Sequence, residues 1–329
     1  MRTAVLLLNF GEPEDASLEE IVDFLDRIFT ANAALEPNTS PREARVRSRR
    51  LAEARAESLL EDYRLIGGSP MNAQAREQAD LVAAALERPG HDTAAFIGMQ
   101  FTDPSIPAAM HAAADWGAER LVALPVYPVC GPSTTIAALG LVRAELGRTR
   151  WKVPLFEIRG WYTSPAYVEL RAAAIRDVAD RSGLSLTDGS AELVFSAHGT
   201  PLQYLAGSDY GSHVEEHCRA VAAALGLTAY RLGYQNHAHR PTVPWTQPEI
   251  ADVIRNVASR AVIVDPISFV HEQSETLVEL DHELRAVAEG RGLRFERVPI
   301  AHDSPAFINV LAALVEPLLP SRRHAAVYA

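Results

Sequence analysis

The chain has 329 residues, of which 48% are apolar and 22% charged, enough to build a sizeable core and too many for one average domain. Its formal net charge of -11 argues against nucleic-acid binding, which needs clustered Lys and Arg. The two cysteines, Cys130 and Cys218, are far apart. They are too few for a disulfide scaffold or a cysteine-held iron–sulfur cluster, and they suit a reducing cytoplasm.

The N-terminal segment MRTAVLLLNFGEP is predicted to be a buried strand. Its apolar run is only about five residues, shorter than the roughly 7–15 of a secretory signal. No apolar stretch of the sequence approaches the ~20 residues of a membrane span. We therefore expect a cytoplasmic protein with at most transient membrane contact.

Strands and helices are predicted to alternate along the whole chain. Apolar runs predict strands at residues 4–9, 93–99, 120–127, 153–158, 192–196, 230–234, 260–264 and 294–298. Helical periodicity predicts helices at residues 17–29, 42–63, 73–86, 106–116, 133–146, 165–181, 214–225, 249–257, 275–289 and 305–319. Such alternation favours an α/β fold with parallel sheets covered by helices on both faces.

A weak internal repeat suggests two similar α/β halves. Residues 6–13 (LLLNFGEP) and 193–201 (LVFSAHGTP) each run from an apolar strand into a Gly-X-Pro turn. We place the boundary at residue 150, giving halves of residues 1–150 and 151–329. Ligands of such sheets bind outside the carboxyl ends of the strands, where both turns would lie.

His198 is the first candidate for chemistry. It directly follows a predicted buried strand, in a turn that would face the crevice. A neutral imidazole there could take up protons or bind a metal. The alternative is a core histidine that is bonded to the backbone.

Three carboxylates form the second candidate. Glu275, Glu279 and Glu283 are spaced at i, i+4 and i+8 just past a strand end, which would put them along one helix face. Like charges so placed repel each other, so the row destabilises the helix unless protons or cations bind there. A solvated acidic face is the alternative.

Four further histidines carry weaker signals. His237 and His239 follow a predicted strand and could ligate a metal, but a polar loop with incidental histidines is an equal alternative. His213 and His217 lie at i and i+4 but lack the HExxH order of helical zinc sites. Because the GxGxxG and GxxxxGK[ST] fingerprints are absent from the sequence, we expect no nucleotide cofactor.

Seven segments, in order, resemble the ferrochelatase family, class II-type chelatases of haem synthesis. They are LLLNFGEP, GGSPMNAQAREQA, GMQFTDPSI, LPVYPVCGPSTT, FSAHGTP, SFVHEQSETLVELD and AHDSP. The resemblance implies two Rossmann-like halves with four-stranded parallel sheets and a porphyrin cleft between them. The last helix, residues 305–319, could then pack on the N-terminal half.

The resemblance also implies an activity and its residues. The activity is that of a lyase, in which Fe(II) enters a porphyrin as a substrate and two protons leave. His198 would be the base or metal contact and Glu275 its partner. A path for protons or metal would use Glu279, Glu283 and Glu272. The implied porphyrin contacts are Phe10, Gln100, Phe101, Tyr127, Ser133, Thr134, Gln235 and Trp245.

The chain departs from the family pattern at several positions. Gln273 stands where the family usually has a second histidine, and Gln100-Phe101 replace an Arg-Tyr pair. Phe10 replaces a tyrosine that coproporphyrin-using members often carry, which favours protoporphyrin IX over coproporphyrin III. The alternatives are a cobalt or nickel chelatase of a related tetrapyrrole and a non-catalytic haem or metal carrier. No segment points to an iron donor or to an oligomeric state.

Overall fold

Two four-stranded parallel sheets form the framework of the computed structural model, which describes residues 1–14, 17–36, 40–89, 92–236 and 243–320. The first sheet has the order β2-β1-β3-β4. Its strands are β1 (Arg2–Asn9), β2 (Asp92–Met99), β3 (Arg120–Pro125) and β4 (Leu155–Glu157). The second has the order β6-β5-β7-β8. Its strands are β5 (Ala191–His198), β6 (Arg231–Gln235), β7 (Ala261–Pro266) and β8 (Arg294–Arg297).

The second sheet repeats the strand order of the first, and the predicted fold class is confirmed. In β1, every residue after Arg2 is buried, as expected for a parallel strand covered on both faces. Its partners β2 and β3 run in the same direction on either side. The carboxyl ends of β1 and β5 therefore lead into the two turns that the internal repeat singled out.

Helices flank both sheets, and their bounds follow local capping signals. Ser17 begins the first helix, where its side chain accepts a hydrogen bond from the Glu20 N–H. The α-helices are α1 (Leu18–Ala33), α2 (Pro41–Ile66), α3 (Met71–Ala85), α4 (Ile106–Asp115), α5 (Ala137–Thr149), α6 (Pro165–Ser182), α7 (Tyr210–Ala224), α8 (Ile250–Arg255), α9 (Ser274–Leu277), α10 (Arg285–Glu289) and α11 (Pro305–Val315). In the described part of the chain, no helix is long and apolar enough to cross a membrane.

The first sheet extends past the predicted boundary at residue 150. Helix α5 ends at Arg150, which has a left-handed φ of 56°. Strand β4 follows and pairs with β3, with Leu155 opposite Leu121. The fourth strand of the N-terminal sheet therefore comes from residues that the sequence analysis assigned to the second half. The end of α5 near residue 150 is a turn between a helix and a strand of the same half, and not a boundary between the halves.

The last helix lies against the N-terminal sheet. Helix α11 packs on α3, and Phe307 and Leu311 share a buried cluster with Val5 and Val82. A 3₁₀ turn at Glu316–Leu318 follows it. Residues from the end of the chain therefore complete the core around β1.

The spacing of the acidic row predicted one regular α-helix. The structure shows an interrupted helix instead. A π turn, Glu279–Leu284, separates α9 from α10. Within it the Glu283 N–H donates to the Val278 carbonyl five residues earlier, at 3.0 Å. The α-helical relation between Glu279 and Glu283 is therefore lost. Such π turns are frequently found at functional sites.

Candidate active site

Three neighbouring strands of the second sheet end at one place and deliver the candidate residues. His198 is the last residue of β5 and pairs in register with Gln235, the last residue of β6. Glu275 lies in the first turn of α9, which follows β7. Because parallel strands present their carboxyl ends at the same edge, residues far apart in sequence meet here.

His198, Glu275 and Asn236 are within hydrogen-bonding reach of each other. The His198 Nε2 atom lies 3.4 Å from Glu275 Oε1. Asn236 Nδ2 donates to Glu275 Oε1 at 3.0 Å and lies 3.3 Å from His198 Nε2. A neutral imidazole can accept a hydrogen bond from Asn236, and a protonated one can donate to Glu275. The arrangement therefore accommodates both protonation states of His198.

Backbone contacts hold His198 while its ring stays accessible. Its N–H donates to Ser268 Oγ at 2.9 Å, and the Tyr210 hydroxyl donates to its carbonyl at 2.9 Å. The side chain is 37% exposed, against 22% for Glu275. Burial lowers the pKa of His198, but the Glu275 carboxylate outweighs this, and the net shift is upward. The ring is therefore a better proton acceptor than an isolated imidazole.

Gln235 lies beneath this pair and supports it. Its Oε1 accepts from Ser196 Oγ at 2.6 Å. Its Nε2 donates to the Glu275 carbonyl at 2.7 Å and to Glu279 Oε2 at 3.1 Å. Gln235 is buried and its amide is fully engaged, so it serves the scaffold of the site rather than the surface of a porphyrin cleft.

The three carboxylates of the row differ in environment. Glu275 and Glu279 are partly buried, whereas Glu283 is exposed. Burial, and then the charge of Glu275, raise the pKa of Glu279 well above its usual value. Glu279 therefore holds a proton more readily than an isolated carboxyl group does, and it interacts with the partly buried Glu275 and the exposed Glu283.

Known proteins resemble this chain over nearly its whole length. The family model for ferrochelatase matches residues 2–318. The chain belongs to the ferrochelatase family. The ferrochelatase of Synechococcus sp. (strain JA-2-3B'a(2-13)) is 35% identical over 97% of this chain and 93% of its own length. That of Geotalea uraniireducens (strain Rf4) is 32% identical over 97% of this chain and 99% of its own.

Solved structures of more distant chelatases share the fold. SirB from Bacillus subtilis with Fe3+ has a TM-score of 0.55 at 10% identity, covering 99% of this chain and 98% of SirB. The sirohydrochlorin chelatase SirB from Bacillus subtilis subspecies spizizenii, in complex with cobalt, has a TM-score of 0.52 at 12% identity, covering 96% of each chain. At such identities the likeness concerns the fold alone.

Glu272, expected in the path with Glu279 and Glu283, faces another way. Its Oε1 accepts from Arg297 at 3.0 Å and its Oε2 from Thr276 Oγ1 at 2.6 Å. The Arg297 side chain is itself largely buried and also binds Asp281. Glu272 is thus paired with Arg297 and braces the start of α9 through Thr276, which argues against a place in the path.

The N-terminal half brings several of the other candidate residues together. The Tyr127 hydroxyl donates to Gln100 Oε1 at 2.6 Å, and Gln100 Nε2 donates to the Ser133 carbonyl at 3.1 Å. Ser133 and Thr134 lie in a second π turn, Pro132–Ile136. These contacts make one connected polar group at the ends of β2 and β3.

The aromatic candidates divide by exposure. The rings of Phe10 and Phe101 pack edge to face with centroids 4.6 Å apart. Phe101 is only 5% exposed, so it backs Phe10 and has little surface for a ligand. Trp245 is partly buried and forms a backbone bridge with Pro201, in the turn after His198.

Of the four other candidate histidines, His217 is buried, His213 is partly buried, and the other two lie outside the described residues. The His217 Nδ1 atom is 2.6 Å from the Tyr162 carbonyl, and burial lowers the pKa of this buried ring. His213 stacks on Tyr162, with centroids 4.6 Å apart. His237 and His239 are not among the residues that the structure describes. Within the described ranges, no three or more His, Cys, Asp or Glu are grouped so that they could hold a metal.

Asn236 is the residue of the site that the sequence analysis missed. It has a left-handed φ of 57°, a conformation in which Asn is enriched. The sequence does place Asn236 directly after a predicted strand and next to the candidate residue Gln235, and this position was the feature that could have identified it. Only the fold shows that its amide joins His198 to Glu275.

Proposed function

We propose that this chain is an enzyme that inserts Fe(II) into a porphyrin and releases the two pyrrole N–H protons. The observation that carries the proposal is the 3.4 Å distance between His198 Nε2 and Glu275 Oε1, two partly exposed side chains at the carboxyl ends of the strands. Membership of the ferrochelatase family over residues 2–318 supports it. The reaction joins one metal dication to one dianionic macrocycle, so charge and protons balance without a redox step.

His198 acts as the proton acceptor in this proposal. Its neutral Nε2 takes a pyrrole proton, and the adjacent Glu275 carboxylate stabilises the imidazolium that results. The upward shift in the pKa of His198 supports this role. The same nitrogen and oxygen lone pairs can contact Fe(II) as it loses water, since imidazole and carboxylate both bind this ion.

Protons then leave through the carboxylates of the row. Glu279 is partly buried and has a raised pKa, so it accepts a proton more readily than an isolated carboxylate and can pass it on. Glu283 is exposed and completes the route to solvent. Metal could enter along the same carboxylates in the opposite direction.

Protoporphyrin IX is the porphyrin that we propose, with protohaem as the product. Phe10 presents an apolar ring without a hydroxyl, backed by Phe101. Tyr127, Gln100, Ser133, Thr134 and Trp245 provide further contacts. An apolar cleft supplies most of the affinity for a large flat ligand. Both cysteines, Cys130 and Cys218, are free thiols, which supports a reducing cytoplasm as the place of the reaction.

A comparison of insertion rates tests both the porphyrin and the metal that we propose. Purified protein is given Fe(II) anaerobically with either protoporphyrin IX or coproporphyrin III, and metalloporphyrin absorbance is followed. We expect insertion into both to be measurable and faster with protoporphyrin IX. A faster rate with coproporphyrin III would contradict the substrate assignment alone. A faster rate with Co(II) or Ni(II) than with Fe(II) would contradict the metal assignment.

A further inference from the structure

Glu12 is a buried carboxylate that the proposed reaction does not use. It lies in the turn after β1, in the N-terminal half, and is only 6% exposed. Its Oε1 accepts from Ser274 Oγ at 2.6 Å, and its Oε2 accepts from the Ser274 N–H at 3.3 Å. The Ser69 hydroxyl also donates to Oε2. One side chain of the first half thus holds both polar donors of the residue before Glu275.

The turn itself does not need this side chain. Asn72 binds the Glu12 backbone on both sides, accepting from its N–H at 3.0 Å and donating to its carbonyl at 2.7 Å. Gly11 supplies a left-handed φ of +83°, where a Cβ would lie 2.1 Å from Thr102 Oγ1. Because burying a carboxylate costs free energy, its presence at a turn that is already fixed requires another reason.

Helix α9 has four residues and runs into the π turn at Glu279. Glu275 is in its first turn, directly after Ser274, so the position of Glu275 depends on how the helix start is fixed. Burial first, and then the charge of the Glu275 carboxylate, raise the pKa of Glu12. The contacts at Ser274 therefore fix the helix start beside the candidate active site.

We propose that Glu12 is a positioning residue, which sets Glu275 relative to His198 by binding Ser274 across the two halves. This inference rests on the proposed function of Glu275. A displacement of about 1 Å in a reacting group can lower a rate by roughly 10²-fold. Loss of the Glu12 carboxylate therefore acts on kcat more than on the KM for porphyrin.

The variant Glu12→Ala tests the role, and two others calibrate it. We expect Glu12→Ala to lower kcat by about 10-fold or more. Glu12→Gln keeps an acceptor oxygen and should retain kcat within about threefold, since most of these bonds survive. Glu14→Ala is the matched control, because Glu14 is on the same turn but pairs with Arg76 at the surface. It should leave kcat unchanged.

A double substitution separates positioning from general stability. If Glu12 acts through Glu275, Glu12→Ala should have no further effect on kcat in a Glu275→Gln background. Multiplied losses in the double variant would contradict the inference. Ser274→Ala removes one of the two donors and keeps the backbone N–H, so it should lower kcat less than Glu12→Ala does, and the two together should be no worse than Glu12→Ala alone.

Amide hydrogen exchange gives a readout that does not depend on activity. We expect faster exchange in residues 274–279 of Glu12→Ala and unchanged exchange there in Glu14→Ala. Faster exchange in a protein whose wild type inserts no iron would support the positioning of Glu275 and contradict the proposed function. An active wild type, with full kcat and unchanged exchange in Glu12→Ala, would overturn the inference.

Discussion

The Nε2 atom of His198 lies 3.4 Å from Oε1 of Glu275, although the two residues are far apart in the sequence. His198 ends β5, and Glu275 lies in the helix that follows β7 of the same sheet. Their approach is a consequence of parallel pairing, which brings both strand ends to one edge. A proton acceptor beside a carboxylate is the arrangement that removal of pyrrole protons requires.

His198 should be essential for insertion and dispensable for binding. We expect His198→Ala to abolish Fe(II) insertion, because the proton acceptor is lost, while porphyrin affinity stays largely intact. Metalloporphyrin absorbance measures the first property and quenching of porphyrin fluorescence the second. His282→Ala removes an exposed histidine and serves as the control. Turnover in His198→Ala at the rate of the control would contradict the assignment.

The three glutamates of the row should not be equivalent. We expect Glu275→Gln to lower kcat by at least about 10²-fold, the lower end for a positioned acid–base group. Glu279→Gln should cost less, and Glu283→Gln least and chiefly at low metal concentration, because Glu283 is exposed. Steady-state rates over a range of Fe(II) concentration give the order. Equal, small effects would mean that the row is only a solvated acidic surface.

Asn236 should contribute through its amide. We expect Asn236→Gly to lower kcat by about 10-fold, the effect of losing one hydrogen bond to a charged group. Glycine is the suitable replacement because it adopts the φ of 57° at this position without strain. Thermal unfolding of the variant checks that stability is retained. An unchanged kcat in a folded Asn236→Gly protein would remove Asn236 from the site.

His271 should make the protein less stable in acid. Its ring is 3% exposed, and burial, followed by the neighbouring His302, lowers its pKa to about 3. An unfolded histidine titrates near 6.5, so the unfolded state binds one more proton between these values. The free energy of unfolding should therefore fall as pH drops below about 6.5, by up to roughly 1.4 kcal/mol per pH unit.

Urea unfolding at several pH values measures this contribution. In His271→Gln the decrease in unfolding free energy between pH 6 and 4 should be smaller than in the wild type. The exposed His282→Gln variant should keep the wild-type slope. Equal slopes in all three proteins would show that His271 is protonated without a penalty in the folded state.

The sequence was sufficient to predict the two sheets, because burial of a strand on both faces leaves an apolar run in the sequence. Residues 4–8 of β1 are apolar because both faces of the strand are covered. His198 could be selected because it directly follows such a run, and Glu275 because it begins an acidic row a short distance past the end of another. Strand β4 has only three residues. Because so short a run does not show which sheet it joins, the predicted boundary at residue 150 placed it in the wrong half.

Side-chain partners were less accessible to sequence reasoning. Glu272 was expected in the path with Glu279 and Glu283, but its partner Arg297 comes from β8. Glu12 and Ser274 are separated by most of the chain, and nothing local marks their contact. A π turn and an α-helix share almost the same residue preferences, so the change at Glu279 was invisible in the i, i+4 spacing.

Multiple-turnover insertion is the most direct test of catalysis at this site. Wild-type protein is mixed anaerobically with a large excess of protoporphyrin IX and Fe(II), and protohaem is counted per chain. Our account predicts many equivalents per chain at a constant rate, and a rate at least about 10²-fold lower in Glu275→Gln. Formation of one equivalent followed by a complete stop would contradict it, because that is the behaviour of a carrier.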